Sequence, residues 1–297
     1  MTYHPQEEPA TPRTLEDNIG IAIRDIGIPP RPSVLIEIEA EMRKDEPDFS
    51  HLAKIISADV ALSAGLLKTC NSPFFGLDKK VRSVPEALLV LGLNLTIRTV
   101  AGVALRKAFE RAPHLERFWD ESGTTARVSG WLARRLRKCC WVRPEDAYTF
   151  GLFHDCGIPI LVGPFPQYRA VLAQANTEQD RRFTDIENQA IGCNHADMGA
   201  LLAESWSLPQ EIVEAVRHHH QLNELVAGTV PMSAPIVAPL IAITQLAEYL
   251  IYTRTGSGST FEWQKMSAAA MRVLSIDEAK IAELFEECHE PISGLYD

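Results

Sequence analysis

The chain has 297 residues, of which 46% are hydrophobic and 23% are charged, so it is long enough to bury a sizeable core. Its formal net charge of -10 opposes a broad attraction to nucleic acid or to an anionic membrane, because phosphate binding depends mainly on neutralisation by Lys and Arg. Composition and charge therefore exclude both as default partners and leave an ordinary globular protein.

Residues 1–14 are polar and rich in Pro and Glu, which predicts a flexible tail without the features of a secretory signal. The chain has six cysteines without a CxxC pair and without the regular spacing of a disulfide framework. Reduced thiols are typical of the cytosol, so we expect a cytoplasmic protein.

Apolar residues recur at helical spacing along the rest of the chain, and runs with strict alternation are missing. The pattern therefore predicts an all-α fold. Pro, Ser, Asp and Asn residues mark the helix starts, and Ser207 with Gln210 resembles a capping box. The expected helices are Val34–Arg43, a segment capped by Asp48 or Ser50, Pro85–Gly92, Leu93–Phe109, Phe118–Cys139, Pro144–Asp155, Ala196–Trp206, a helix from Ser207 to His220, Glu262–Leu274 and Asp277–Cys288.

Two breaks divide the helical chain. Arg111-Ala112-Pro113 separates an N-terminal helical lobe, residues 15–112, from a second helical lobe, residues 113–255. A Gly/Ser-rich stretch from Gly256 then precedes a C-terminal helical pair within residues 256–297. The apolar stretch Pro235–Tyr252 contains polar residues and is too short for a membrane span, so we interpret it as a buried helix.

Five cations cluster just before the Pro144 helix. A helix C-terminus attracts cations to its partial negative charge, and we expect such a terminus here. This interpretation, a solvated face, is favoured over a ligand-binding patch. The five cations are Arg134, Arg135, Arg137, Lys138 and Arg143.

The adjacent pair His154-Asp155 ends the apolar segment Ala147–Phe153 and is the first candidate for chemistry. Alone, such a pair is more often a local hydrogen bond than a metal site. Further histidines follow in the sequence. His219 and His220 continue the buried stripe of Val216, whereas His218 continues a polar face and is excluded.

Two carboxylates and one more histidine complete the candidate set. Glu121 shares a mostly apolar helix face with Thr125 and Val128, so its carboxylate is expected to face the core. His195 begins its own helix, and Glu248 borders the apolar stripe of the Pro235–Tyr252 segment.

Buried imidazoles need hydrogen-bond partners or a cation, and a bound metal would supply one. Mixed imidazole and carboxylate ligands suit Fe, Mn or Zn better than Ca, and Mg also stays possible as the divalent ion. The alternative is a packing core in which these polar residues only hydrogen-bond one another. The sequence leaves this choice open.

Several segments between Ile28 and Tyr252 resemble the HDOD (HD-related output domain) family. The resemblance covers both the order of the segments along the chain and the residues within each segment. In the first lobe it lies in Ile28-Pro29-Pro30-Arg31-Pro32, Ile55–Leu62, Asn71-Ser72-Pro73-Phe74-Phe75-Gly76 and Ser83–Leu93; in the second it lies in Gly192–Ala196, Trp206-Ser207-Leu208-Pro209 and Glu214-Ala215-Val216 with His219-His220.

The resemblance implies a multi-helix fold with an HD-like second lobe, and the wider HD superfamily binds one or two metals with dispersed His and Asp ligands. By position, His154, Asp155, His195, His219 and His220 match that order. Glu121 stands in place of the superfamily's first histidine and Glu248 in place of its final aspartate. Carboxylates can still bind metals.

Two departures weigh against hydrolysis. Many HD hydrolases resemble HDxGK, with a lysine near the substrate phosphate, whereas this sequence has Ile158 there. The Gly-Tyr-Pro signature of cyclic di-GMP phosphodiesterases is also missing after His220. The resemblance therefore favours a non-catalytic signal-transduction module with a protein partner. The alternative is a metal-dependent phosphohydrolase acting on a nucleotide-type phosphomonoester or phosphodiester, with Asp155 as a catalytic residue.

Overall fold

A computed structural model describes residues 28–72, 77, 79–110, 115–256 and 261–288. The described residues are helical and contain no strand, so the all-α prediction is confirmed. The helices are Ser33–Met42, Phe49–Ser57, Val60–Cys70, Val84–Ala108, Glu116–Arg135, Pro144–Phe153, Ile158–Val162, Tyr168–Thr177, Phe183–Ile191, His195–Ser205, Gln210–His218, Leu222–Ala227, Val237–Thr255, Glu262–Leu274 and Glu278–Glu287.

Side-chain capping explains five of the fifteen helix starts in the described residues. The side chain of Asp48 accepts hydrogen bonds from Ser50 N and His51 N, and that of Asn194 accepts one from Asp197 N. Asp277 caps the last helix in the same way. Gly92, with φ 71°, breaks Val84–Ala108 at the point where the sequence predicts a boundary between two segments.

Two local predictions are wrong: the capping box at Ser207, and the loop rich in Pro, Gly and Ser that the sequence predicts directly after His220. Ser207 is no capping residue: its φ is 57°, its helix begins at Gln210, and Pro209 precedes that helix without a side-chain cap. Pro159 lies in the first turn of a separate short helix, Ile158–Val162, where a missing N–H costs nothing. The loop expected after His220 contains a helix, Leu222–Ala227.

The Pro144–Phe153 helix is at the centre of the packing. Seven of its residues are buried, and it contacts Val84–Ala108, Glu116–Arg135, Gln210–His218 and Val237–Thr255. His154 and Asp155 directly follow its C-terminal end, where His154 is buried and Asp155 is partly buried. Val237–Thr255 is a buried helix, as predicted for this stretch.

Buried apolar side chains from both predicted lobes form one continuous core, from Leu35 to Cys288. The predicted break between the lobes, Arg111-Ala112-Pro113, lies outside the described residues, as do residues 1–14 and most of the Asn71–Gly76 and Gly256–Ser259 segments. The lobe boundaries therefore stay predictions.

One helix, Val84–Ala108, is long and apolar enough to cross a membrane by length and composition, and a second span is counted only if the sharply bent pair Phe49–Ser57 and Val60–Cys70 is taken together. Core helices of soluble proteins have the same length and composition. Val84–Ala108 is broken at Gly92 and packs against Val60–Cys70 and Pro144–Phe153. We interpret it as such a core helix.

Candidate metal centre

Two tight approaches at one helix crossing bring candidate ligands together. The turn after Pro144–Phe153 crosses the first turn of His195–Ser205 at Gly157, where a Cβ atom would lie 2.0 Å from the His195 carbonyl oxygen. Gly199 on the crossing helix is also tightly packed, with the Gly157 nitrogen 3.1 Å from an ideal Cβ. Only glycine permits this contact, which sets Asp155 next to His195.

The first group of possible ligands consists of Asp155, His195, His219 and His220. One ligand atom from each lies within 4.8 Å of the others, and the three imidazoles are buried. The Nε2 atom of His195 is 3.1 Å from the Nε2 atoms of both His219 and His220. Asp155 Oδ1 is 3.3 Å from His195 Nε2 and 3.4 Å from His219 Nε2.

A second group shares Asp155 with the first. Its other oxygen, Oδ2, is 3.3 Å from His154 Nε2, and Glu248 Oε1 is 3.0 Å from the same nitrogen. The Asp155 carboxylate therefore lies between the two groups, one oxygen directed at each. Such a bridging carboxylate is suited to two adjacent cations.

The other ring nitrogen of each histidine is already used. Nδ1 of His154 donates to Gly151 O at 3.0 Å, and Nδ1 of His219 donates to Val216 O at 2.7 Å. Both acceptors are carbonyl oxygens, so each Nδ1 keeps its proton and Nε2 is the atom left to bind a proton or a metal ion.

The other two histidines contact buried carboxylates. Nδ1 of His195 is 2.7 Å from Glu187 Oε2, and Nδ1 of His220 is 2.6 Å from Glu262 Oε2. Glu187 also accepts a hydrogen bond from the buried hydroxyl of Tyr168. A carboxylate on the far nitrogen of a ligating histidine is the usual support of a metal-bound imidazole.

The Nε2 atoms of His195, His219 and His220 converge on one another. Lone pairs 3.1 Å apart repel unless a proton or a metal ion lies between them. With metal–nitrogen bonds of about 2.1 Å, ligand atoms are about 3.0 Å apart at right angles and about 3.4 Å apart at the tetrahedral angle. The observed separations of 3.1–3.4 Å lie in this interval, so the residues fit a metal ion.

The electrostatics of the group favour a positive charge. Burial lowers the pKa of His195, but the Glu187 and Asp155 carboxylates outweigh burial and raise it to about 10. Burial and the neighbouring His220 and His195 lower the pKa of His219 to about 3. Opposing burial, His154 and the hydrogen bonds from His195 and His219 hold the pKa of Asp155 well below its usual value. Asp155 and Glu248 likewise outweigh burial and raise the pKa of His154 well above its usual value, so a positive charge, proton or metal, is stabilised in both ligand groups.

The structure brings together six of the seven predicted ligands. His219 and His220 are buried, and His218 stays partly exposed with its Nδ1 2.7 Å from Gln221 Oε1, as predicted. Glu121 is the exception: its side chain is 46% exposed and its carboxylate bonds Arg117 Nε at 2.7 Å. The prediction that it faces the core is wrong, because the wall of a cavity, open to solvent, replaces the core at this position. Its role as a ligand stays a prediction.

Sequence reasoning missed Glu187 and Glu262. Glu187 lies one turn after Phe183 and next to Ile186 on the buried face of a helix that was not predicted. The same argument that identified Glu121, a carboxylate on an apolar face, would have identified Glu187. Glu262 opens a predicted helix but was interpreted only as its first residue.

A cavity of about 610 Å³ opens onto both ligand groups. Ile158, at the position of the superfamily's lysine, lies in its wall, as do Arg117 and Arg169. Tyr249 and Trp263 stack with ring centroids 4.8 Å apart and form another part of the wall. The space exceeds that of a metal ion and is in the range of a small-molecule site.

The HDOD domain family matches residues 28–222, and the chain belongs to this family. A protein of Treponema pallidum (strain Nichols), uncharacterized by name, is 30% identical over 206 residues, which are 68% of this chain and 39% of that protein. YuxH of Bacillus subtilis (strain 168) is 33% identical over 58 residues, 20% of this chain and 14% of that protein. The chain thus spans well under half the length of these relatives.

Solved structures with the same fold have 21–22% sequence identity to the chain. An HDOD domain protein with unknown function from Geobacter sulfurreducens has a TM-score of 0.69 and covers 95% of this chain and 98% of its own. A "Putative phosphohydrolase" from Shewanella amazonensis SB2B has a TM-score of 0.67, with 92% and 96% covered. A "Putative signal transduction protein" from Marinobacter aquaeolei VT8 has a TM-score of 0.70, with 95% and 64% covered.

Proposed function

We propose that the chain is a non-catalytic regulatory HDOD module of a bacterial-type signal-transduction pathway, in which a divalent metal joins the helices of the second lobe. The observation that carries the proposal is the convergence of His154, His195, His219 and His220 on Asp155, with every Nδ1 already bonded. His154 follows the Pro144–Phe153 helix, and His195 begins its own helix. His219 and His220 lie in the turn after Gln210–His218. Metal binding would therefore stabilise the tertiary fold itself.

The departures at Ile158 and Glu121 support a regulatory role. An apolar side chain stands where phosphate contact is needed in the hydrolases that the chain resembles, and the Glu121 carboxylate pairs with Arg117 of the same cavity wall and neutralises its charge. Developing phosphoryl charge needs cationic groups for stabilisation. The six cysteines are free, which agrees with a cytoplasmic location.

Metal content and thermal unfolding test this proposal. Protein purified without chelator is expected to contain Fe, Mn, Zn or Mg, and chelator is expected to lower its melting temperature. His154→Ala should abolish both effects, whereas His218→Ala, at the last residue of the Gln210–His218 helix and outside the cluster, should preserve them. Metal-free protein with an unchanged melting temperature in chelator would instead support the hydrogen-bonded packing core.

A second candidate is a metal-dependent phosphohydrolase, favoured by the cavity that opens onto the ligands and by Arg169 in its wall. In this case Asp155 and the histidines would hold the ions that activate water. Hydrolysis of a phosphodiester and a nucleotide panel separates the two candidates. Metal-dependent turnover that Asp155→Asn abolishes would replace the regulatory proposal.

A further inference from the structure

We propose that the turn between Glu116–Arg135 and Pro144–Phe153 is a docking surface for an acidic segment of a partner protein. We call this turn the Trp141 surface. Its exposed members are Arg134, Arg135, Arg137, Lys138, Trp141 and Arg143. The inference adds a partner chemistry to the proposed regulatory role and does not depend on the metal centre.

Trp141 is the most exposed large hydrophobic residue described, with 93% of its surface accessible. Its neighbours Cys140 and Val142 are 4% and 5% exposed, so the backbone is anchored in the core on both sides. The indole is therefore held outward by its surroundings. Trp and Arg are the residues that most often dominate the energy of protein interfaces.

The helix terminus accounts for only part of the positive charge. The helix ends at Arg135, so Arg134 and Arg135 lie in its last turn, where cations are favoured. Arg137, Lys138 and Arg143 lie beyond that end. Asp146 binds Arg143 at 2.7 Å, but Arg137 and Lys138 have no ion pair among the described residues. Two adjacent cations are thus available beside the exposed indole.

The surface already accepts a carboxylate of this chain. Glu287, at the end of the last helix, lies 3.2 Å from Arg135 Nε. This contact shows the geometry in which a carboxylate binds here, and it leaves Arg137 and Lys138 for further acidic groups.

The overall charge selects the kind of partner. Salt screens exposed charges beyond a Debye length of about 8 Å, so an extended polyanion such as nucleic acid or an anionic membrane is repelled wherever it lies along the acidic surface of a chain with net charge -10. A short acidic protein segment needs only the local cations and feels less of this repulsion. An acidic segment with an apolar side chain for Trp141 therefore fits this surface best.

The probe is a fluorescently labelled peptide of eight Glu residues around a central Phe, measured by anisotropy on the full chain. We expect binding that weakens as salt rises, with Trp141 emission altered on binding. Arg137→Glu with Lys138→Glu should lower the affinity about tenfold or more. The matched control, Lys79→Glu with Lys80→Glu, makes the same charge change on another exposed Lys pair and should leave affinity within about twofold.

Competing partners are tested with the same variants. Vesicles of phosphatidylcholine with phosphatidylglycerol and a single-stranded oligonucleotide should bind more weakly than the peptide. Tighter binding of either at this surface would overturn the proposal, and so would equal losses in the two charge-reversed variants. Trp141→Phe, which keeps an apolar ring, is expected to fold normally and to lose only part of the peptide affinity.

Discussion

Glu187 is a buried carboxylate that holds a buried imidazole. It is fully enclosed, bonds the Nδ1 and the backbone N–H of His195, and accepts the hydroxyl of Tyr168. An unpaired carboxylate in such a place would be costly, so the three groups stabilise one another. At the residue scale, the candidate site therefore depends on partners that are not ligands themselves.

Glu187→Gln tests this dependence. The amide keeps the size of the side chain but removes the charge that orients His195 and raises its basicity. We expect metal affinity to fall about 10–100-fold, measured by competition with a metal-sensitive dye. Glu204→Gln, an exposed residue on the His195–Ser205 helix, is the control and should bind metal like the parent protein. Equal affinities in the two variants would argue against a supporting role for Glu187.

The six thiols differ in accessibility. Only Cys139 is exposed, and burial raises the pKa of the others, to about 11 for Cys193 and about 12 for Cys288. A thiolate is the reactive form, so the native protein should titrate one thiol rapidly with an aromatic disulfide reagent and all six after unfolding. Cys139→Ser should remove the rapid phase; a persisting rapid phase would show that a buried thiol becomes accessible in the native state.

At the scale of elements, the crossing at Gly157 decides whether the ligands meet. Gly157→Ala would place a methyl group 2.0 Å from the His195 carbonyl oxygen and 2.7 Å from Gly199 N, both backbone atoms that cannot move alone. We expect a loss of at least ~3 kcal/mol in the free energy of unfolding, measured by urea denaturation. Separation of the two helices should also lower metal affinity.

Gly163→Ala provides the control for this substitution. Gly163 follows the short Ile158–Val162 helix, has φ -70°, and has no atom within 4 Å of an added Cβ. Its change in stability should stay within about 0.5 kcal/mol. If both alanine variants were equally stable, the crossing would have to be looser than described.

At the scale of the whole molecule, the first residues of the HDOD match bind the turn between two helices that position candidate ligands. The indole N–H of Trp206 donates to Pro29 O at 3.0 Å, and Arg31 Nη1 donates to Ser207 Oγ at 3.2 Å. His195 begins the helix before this turn, and His219 follows the helix after it. The N-terminal segment therefore contacts the same two helices that position the candidate metal centre.

Trp206→Phe removes the hydrogen bond to Pro29 and leaves an aromatic ring in the core. We expect a loss of about 1–3 kcal/mol in the free energy of unfolding, because a buried carbonyl loses its donor and the smaller ring fills less volume. Proteolysis should then cleave the segment before Ser33 faster than in the parent protein. Trp263→Phe, at the cavity wall, should leave that cleavage rate unchanged.

The sequence by itself determined the helical class, most helix positions and which histidines face the candidate site. Helical periodicity directed His219 and His220 inward and His218 outward, because a helix face is a local property of residue spacing. Caps such as Asp48 and Asn194 could be recognised for the same reason. Short helices without strong caps, such as Tyr168–Thr177, lacked such a signal.

Only the tertiary structure decided which carboxylates join the histidines. Glu121 and Glu187 have similar local patterns, yet the first lies at an open cavity wall and the second is enclosed against Tyr168 and His195. Glu262 reaches His220 from a helix 42 residues away. Contacts at such separations depend on how whole helices cross, and spacing along one helix carries no information about that crossing.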